Sequence, residues 1–310
     1  MSGSARAVDA VGYRPLLFSI AYGMTGSVGD AEDLVQDAFL GLTRARRAGT
    51  VIADLKAYLT TTVTRLGINH LGSARVRREA YVGEWLPEPV VVAADRPGPA
   101  EHAELADSLS MAFLVLLETL SPAERAVFVL REVFGYGYPE VAGIVGKSEV
   151  NCRQIFARAG KRIAAGREPA DVVPPPARRA EGDELARRFF EAAEGGDLDA
   201  LLGMLAPDVV FHGDGGGKAR ALGKSLTDPR RVAGLLLGGF RRIRSLGVSP
   251  RPVRINGRPG AVLYDAEGRV VSVVELDIAD GVIQAIHSVS NPDKLGHLGP
   301  VSDVARLPER

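Results

Sequence analysis

The sequence predicts a multidomain chain: two all-α helical modules followed by an α+β domain built on a curved sheet. Apolar residues recur at helical spacing through the first two thirds, where no comparable strand signal occurs. Two proline-rich stretches interrupt that pattern, and beyond the second the texture changes to β-branched runs on either side of Ala279-Asp280-Gly281. Asp-Gly between such runs signals a hairpin, so helices covering a sheet are expected there.

The first module opens with a helix carrying Tyr13, Leu16, Leu17, Ile20, Ala21 and Met24, with Gly26 just beyond it. A second amphipathic segment, 30–42, sets Asp30, Glu32, Asp33, Gln36 and Asp37 around Leu34, Val35, Ala38 and Phe39; a third runs over about 54–71. Pro87, Pro89, Pro97 and Pro99 then mark a linker with little regular structure, and helices resume near Glu101. Ser121-Pro122-Ala123-Glu124 is a helix start, since Ser caps, Pro fits the first turn and Glu reaches back.

Next comes a short helix whose first turn Pro139 pre-sets and which carries Val141, Ala142, Ile144 and Val145. Gly146 can turn the chain and Ser148 can cap the following helix. In that helix Cys152, Phe156, Ala159 and Ile163 form one apolar stripe, while Asn151, Arg153, Gln154, Arg158 and Lys161 fill the opposite side. Helix, glycine turn and basic helix follow the helix-turn-helix order. Arg and Lys neutralise phosphates, and Arg, Asn and Gln offer bidentate hydrogen bonds to purine edges. A solvated basic helix packed on a neighbour fits the periodicity equally well.

Residues 168–179, with Pro174, Pro175 and Pro176 in a row, read as a second, extended linker. Beyond it, helices near 182–205 and 229–244 precede strands at 261–264, 270–278 and 282–289. The predicted divisions are 10–80, 81–104, 105–166, 167–180, 181–297 and a tail at 298–310.

Composition narrows the function classes. The 310 residues are 46% hydrophobic, enough for real cores. No apolar run is long enough to cross a bilayer and the N-terminus lacks the apolar core of a signal peptide, so the expectation is a cytoplasmic protein with no membrane partner. Cys152 is the only cysteine, which removes intramolecular disulfides and multi-cysteine metal sites; no metal and no cofactor are predicted. The formal net charge of zero is a cancellation. Residues 41–78 hold eight Arg or Lys against Asp54, residues 79–124 nine acids against Arg96, and residues 141–167 six bases against Glu149. Two basic blocks about an acidic one predict two polyanion-binding surfaces.

Tyr13 to Leu42, above all Ala31-Glu32-Asp33-Leu34-Val35-Gln36-Asp37, resembles regions 2.1 and 2.2 of bacterial sigma factors; residues 53–79 are similar to regions 2.3 and 2.4, and 121–163 to region 4. Without region 1.1 or a full region 3, the arrangement resembles extracytoplasmic-function (ECF) sigma factors. Trp85-Leu86-Pro87-Glu88-Pro89, Asp214-Gly215-Gly216-Gly217-Lys218 and Asn291-Pro292-Asp293-Lys294-Leu295, in that order, resemble the ECF subgroup with a C-terminal SnoaL-like extension.

The resemblance implies a region 2 bundle, a region 4 helix-turn-helix and a SnoaL-like cone, acting with core RNA polymerase and promoter DNA. It puts the polymerase contact on Glu32, Asp33, Gln36 and Asp37. Recognition and opening of the minus-10 element would fall to Arg65, Asn69, His70, Arg75, Arg77 and Arg78, with 47–53 as the loop that captures flipped bases. Many ECF factors carry Asn where this chain has Leu66, so base contacts there are not carried over. Asn151, Arg153, Gln154, Arg158 and Lys161 would read the minus-35 element.

Trp85, Leu86, Pro87, Glu88, Pro89, Asp214, Lys218, Asn291, Asp293 and Lys294 are the expected regulatory and interdomain residues. Trp85 reads either as an anchor between domains or as a lid on the first module's core, and Tyr58 reads as core. SnoaL-like folds include polyketide cyclases and ketosteroid isomerases as well as non-catalytic modules, so fold alone does not choose. His212, Asp214, Lys218, His287 and Asp293 are its candidate polar groups, regulation is expected over catalysis, and a small-molecule ligand of unspecified identity is left open. The competing readings are a ligand-responsive helix-turn-helix regulator not tied to polymerase and a cyclase or isomerase fused to a DNA-binding module.

Overall fold

The computed structural model describes residues 10–79, 81–92, 109–165 and 176–304; side chains at 74–79, 92, 165 and 176–178 fall outside the description. These residues divide into two compact units, one of 10–79 and 113–165, the other of 81–92, 109–112 and 176–304. The expected helix restart near Glu101 and the second proline-rich stretch with Pro174 and Pro175 lie outside the described residues.

The first unit is helical. Helix α1 (Arg14–Thr25) ends where Gly26 turns left-handed, and α2 (Val28–Arg47) starts under the Ser27 hydroxyl, which accepts from the Asp30 amide. Helix α3 (Leu55–Glu79) is capped by Asp54, whose carboxylate accepts from the Ala57 amide at 2.9 Å. Leu17, Ile20, Ala21, Met24, Leu34, Val35, Ala38, Leu59 and Val63 are buried among these helices. After α4 (Met111–Leu117), the Ser121 to Glu124 start forms a full capping box on α5 (Pro122–Phe128), which runs into a π-helical turn, Val129–Val133. Helix α6 (Tyr138–Val145) turns at Gly146 into α7 (Glu149–Ala165), with Ser148 accepting from the Asn151 amide. This is the helix-turn-helix the sequence predicts.

In the second unit, helices α8 (Pro176–Gly195), α9 (Leu198–Met204) and α10 (Pro229–Ser245) cover a seven-stranded sheet. Its strands are β1 (Val91–Val92), β2 (Leu205–Asp214), β3 (Leu226–Thr227), β4 (Ser249–Ile255), β5 (Arg258–Tyr264), β6 (Val270–Ala279) and β7 (Val282–Val289), in the order β1-β4-β5-β6-β7-β2-β3. All neighbours are antiparallel except β2 and β7. Phe189, Phe190, Leu201, Val209, Leu236, Phe240, Leu276, Ile283 and Ile286 fill the space between helices and sheet, each large side chain contributing about 1.5–3 kcal/mol.

The Asp280-Gly281 hairpin forms as expected, with both residues at positive φ (52° and 75°) as a two-residue mirror-image turn requires. Two expectations are corrected. Strands β2, β3 and β4 were not foreseen, and the first two thirds do contain a strand: β1, in the proline-rich linker, adds itself to the edge of β4. Strand β4 escapes sequence patterning because Pro250 and Pro252 interrupt it; both sit where, among the described residues, only β5 pairs with it.

Candidate functional site

The three pentapeptides meet in the second unit, where the two of the C-terminal domain seat the one in the linker. Asp214, at the end of β2, is fully buried, and its carboxylate accepts from the Tyr81 hydroxyl (2.5 Å), the Leu86 amide (2.8 Å) and the Lys294 ammonium (2.6 Å). Lys294 also donates to the Leu86 carbonyl and lies 4.2 Å from the Trp85 ring centre and 4.9 Å from that of Tyr81. A buried charge pair is tolerable only with its remaining valences filled, and here the linker fills them. The Asn291 amide donates to the Tyr81 oxygen at 2.7 Å, while its carbonyl caps Asp293. Burial first, and then the hydrogen bond to Asp214, push the Tyr81 phenol well above its ordinary range, so it stays a donor.

The glycines of the second motif make this approach feasible. A Cβ on Gly216 would stand 2.3 Å from the Asn291 amide nitrogen, and one on Gly217 would stand 3.0 Å from Val82 of the linker; both residues have positive φ. Lys218 pairs with Asp293 at 2.5 Å, but both are more than half exposed, so the pair adds little. Pro87 and Pro89 are buried, Glu88 is half-buried, and His297 bonds the Pro89 carbonyl at 2.8 Å. Trp85 is half-buried over Lys294.

Sequence reasoning missed four members of this seat. Asn256 exchanges hydrogen bonds with Val90 and donates its side-chain amide to the Leu109 carbonyl, which pins the linker's far end. Asn256-Gly257 is the turn between β4 and β5, and that dipeptide was the available signal. Tyr81, Glu84 and Glu275 carried no signal of their own. Glu84 bonds His212 Nδ1 at 2.6 Å; His212 stacks on His287 with ring centres 5.1 Å apart; His287 Nδ1 meets Glu275 at 2.5 Å. The strand register makes this row, since His212 is opposite His287 and His287 is opposite Glu275. Burial opposes a charge on His287, but the adjacent Glu275 carboxylate outweighs it and raises the His287 pKa.

In the first unit the predicted side chains lie on helix surfaces. On α2, Asp33, Gln36 and Asp37 are exposed beside exposed Leu40, whereas Glu32 is tied to Arg14. On α3, Arg65 and Asn69 are exposed and help line a groove of about 520 Å³ with Ala57, Tyr58, Thr61, Thr62 and Leu66. Tyr58 is therefore a groove wall rather than core. Arg65 donates to the carbonyls of Ile144 (2.9 Å) and Gly143 (3.0 Å) at the helix-turn-helix bend. His70 faces Asp30 at 3.1 Å, and the side chains of Arg75, Arg77 and Arg78 lie outside the described residues.

On α7, Arg153, Gln154, Arg158 and Lys161 are exposed and Asn151 half-exposed, opposite buried Cys152, Ile155, Ala159 and Ile163. Arg153 reaches Glu149 at 3.4 Å and lies 5.0 Å from the Tyr138 ring centre. Buried Arg125 ties the two helical modules, donating to the Gly23 carbonyl at 3.0 Å and to Glu118; burial pushes its pKa down to about 9.

Comparison with known proteins agrees with this layout. Residues 11–77 match the Sigma-70 region 2 model, 110–163 the Sigma-70 region 4 model and 186–286 the SnoaL-like domain model. The ECF RNA polymerase sigma factor SigJ of Mycobacterium tuberculosis is 38% identical, covering 91% of this chain and 90% of the relative. The probable ECF sigma factor SigI of the same organism is 35% identical over 92% and 93%. The crystal structure of M. tuberculosis SigJ superposes with a TM-score of 0.73 at 34% identity, covering 92% of this chain and 96% of that one. The chain belongs to the ECF RNA polymerase sigma factors, with a SnoaL-like domain fused behind its two sigma domains.

Proposed function

We propose that this promoter-specificity factor is held in check by its own C-terminal domain through the linker seat. The observation that carries the proposal is the pinning of both linker ends to one domain, Tyr81 and Leu86 on Asp214 and Lys294, and Leu109 on Asn256. A free linker of residues 81–109 could reach roughly 90 Å when extended. Pinned, it restrains how far the two DNA readers separate. The bonds from Arg65 to the helix-turn-helix bend support the same reading, because a side chain engaged there is not available to DNA.

In this reading Asp33, Gln36 and Asp37, with Leu40, dock on core RNA polymerase; Glu32 supports the face through Arg14. Arg65, Asn69, His70, Arg75, Arg77 and Arg78 act at the minus-10 element, and Asn151, Arg153, Gln154, Arg158 and Lys161 at the minus-35 element. The divisions at 10–80, 81–104, 105–166, 167–180, 181–297 and 298–310 serve as module boundaries, and the cytoplasm, where core polymerase works, is the site of action. The sigma factors this chain matches are not enzymes; in its own seat all three donors to Asp214 occupy the carboxylate that would otherwise be the candidate base, which supports regulation over turnover.

Run-off transcription with core polymerase tests the proposal. Deleting residues 178–310 is expected to raise output from a cognate promoter several-fold, and unchanged output would make the domain a passenger.

A further inference from the structure

The linker does more than lie on the cone. It inserts a phenol, Tyr81, and a carboxylate, Glu84, three residues apart, into a wall already furnished to receive both. The phenol meets Asp214 and Asn291, and the carboxylate meets His212 at 2.6 Å. Behind His212 stand His287 and Glu275, and the fully buried Glu275 keeps one oxygen without a hydrogen-bond partner among the described residues. The second oxygen of Glu84 is likewise buried without a hydrogen-bond partner among the described residues. Such groups cost free energy in the seated state, so the linker holds its place less firmly than a fully bonded segment would.

We propose that this wall is a ligand site which the chain fills with its own Tyr81 and Glu84, and that its exchangeable ligand is a small phenolic acid. The phenol replaces Tyr81 between Asp214 and Asn291, and the carboxylate replaces Glu84 on His212. Ligand and linker compete for the same groups, so binding releases residues 81–86. This rests on the linker-seat reading above and adds the chemistry of what unseats it.

The test uses the full-length protein and 3-(4-hydroxyphenyl)propionate, with 3-phenylpropionate (no hydroxyl) and tyramine (no carboxylate) as controls. Ligand-observed NMR reads binding, and Trp85, the sole tryptophan, reads linker departure by fluorescence. The phenolic acid is expected to bind saturably with a change at Trp85, each control about tenfold more weakly. His212→Gln removes the partner of both the acid's carboxylate and its internal competitor Glu84, so it should leave the acid within about twofold and tighten tyramine. Glu84→Gln should tighten the acid, because it weakens the internal competitor. A gain for tyramine alone in His212→Gln, against a gain for the acid in Glu84→Gln, is what a purely structural pair would not give. Circular dichroism and the melting transition verify that each variant is folded. No saturable binding to either the wild type or Glu84→Gln, or equal weakening by both substitutions, overturns the proposal. Failure here would leave the transcription response to seat variants intact, whereas failure of the seat reading would show in transcription itself.

Discussion

The exposed face of α7 and the linker seat are both rich in charge, yet they treat it in opposite ways. On α7, Arg153, Gln154, Arg158 and Lys161 stand in solvent on a helix whose other side is buried. In the seat, Asp214, Lys294, Asn291, His287 and Glu275 are buried and bonded to one another or to the linker. A charge left in water costs little to keep and is available to an outside partner, whereas a buried charge has to be completed from within the molecule. Under the proposed function, that difference separates the residues assigned to DNA from those assigned to the chain's own control.

Substitutions should reproduce that division. The largest effect belongs to the seat: Asp214→Ala strands the buried Lys294 and removes the acceptor of three donors, costing about 3–5 kcal/mol in denaturant unfolding followed at Trp85. On the open face, Arg153→Ala and Arg158→Ala should each weaken promoter DNA by about 1–3 kcal/mol if they meet bases, and flatten the salt dependence if they meet phosphate only, with thermal stability nearly unchanged. Wild-type affinity and salt slope in both would remove this face from DNA recognition.

The smallest effect is one of pH. Because the folded state raises the His287 pKa above 6.5, the stabilisation from its pair with Glu275 is complete below pH 6.5 and lost as pH climbs through the raised value. The gap in melting temperature between wild type and His287→Gln should therefore be widest below pH 6.5 and narrow as pH climbs through the raised value; a gap that widens with pH would contradict the pairing.

Periodic features were legible in the sequence because each is local. The capping box at Ser121, the left-handed Gly146 and the Asp280-Gly281 turn state their backbone geometry in adjacent residues, and the apolar stripe of α7 repeats every three or four. The seat was half legible. Its three motifs stood out through resemblance, but Tyr81, Glu84, Glu275 and Asn256 join it through sheet register and a crossing linker, which no short window contains. Strand β4 was hidden by its prolines, and β1 is two residues long and exists only because β4 offers it an edge. Tyr58 was misread as core because an aromatic on an amphipathic helix carries no mark of the groove beside it.

The central claim, that the seated linker restrains promoter use, is met most directly by run-off transcription from a cognate promoter with core polymerase and the double variant Tyr81→Phe, Glu84→Gln. These changes act on the linker side and leave the cone's own residues in place. Transcription several-fold above wild type at equal protein concentration is the predicted result, and output equal to or below wild type would contradict it.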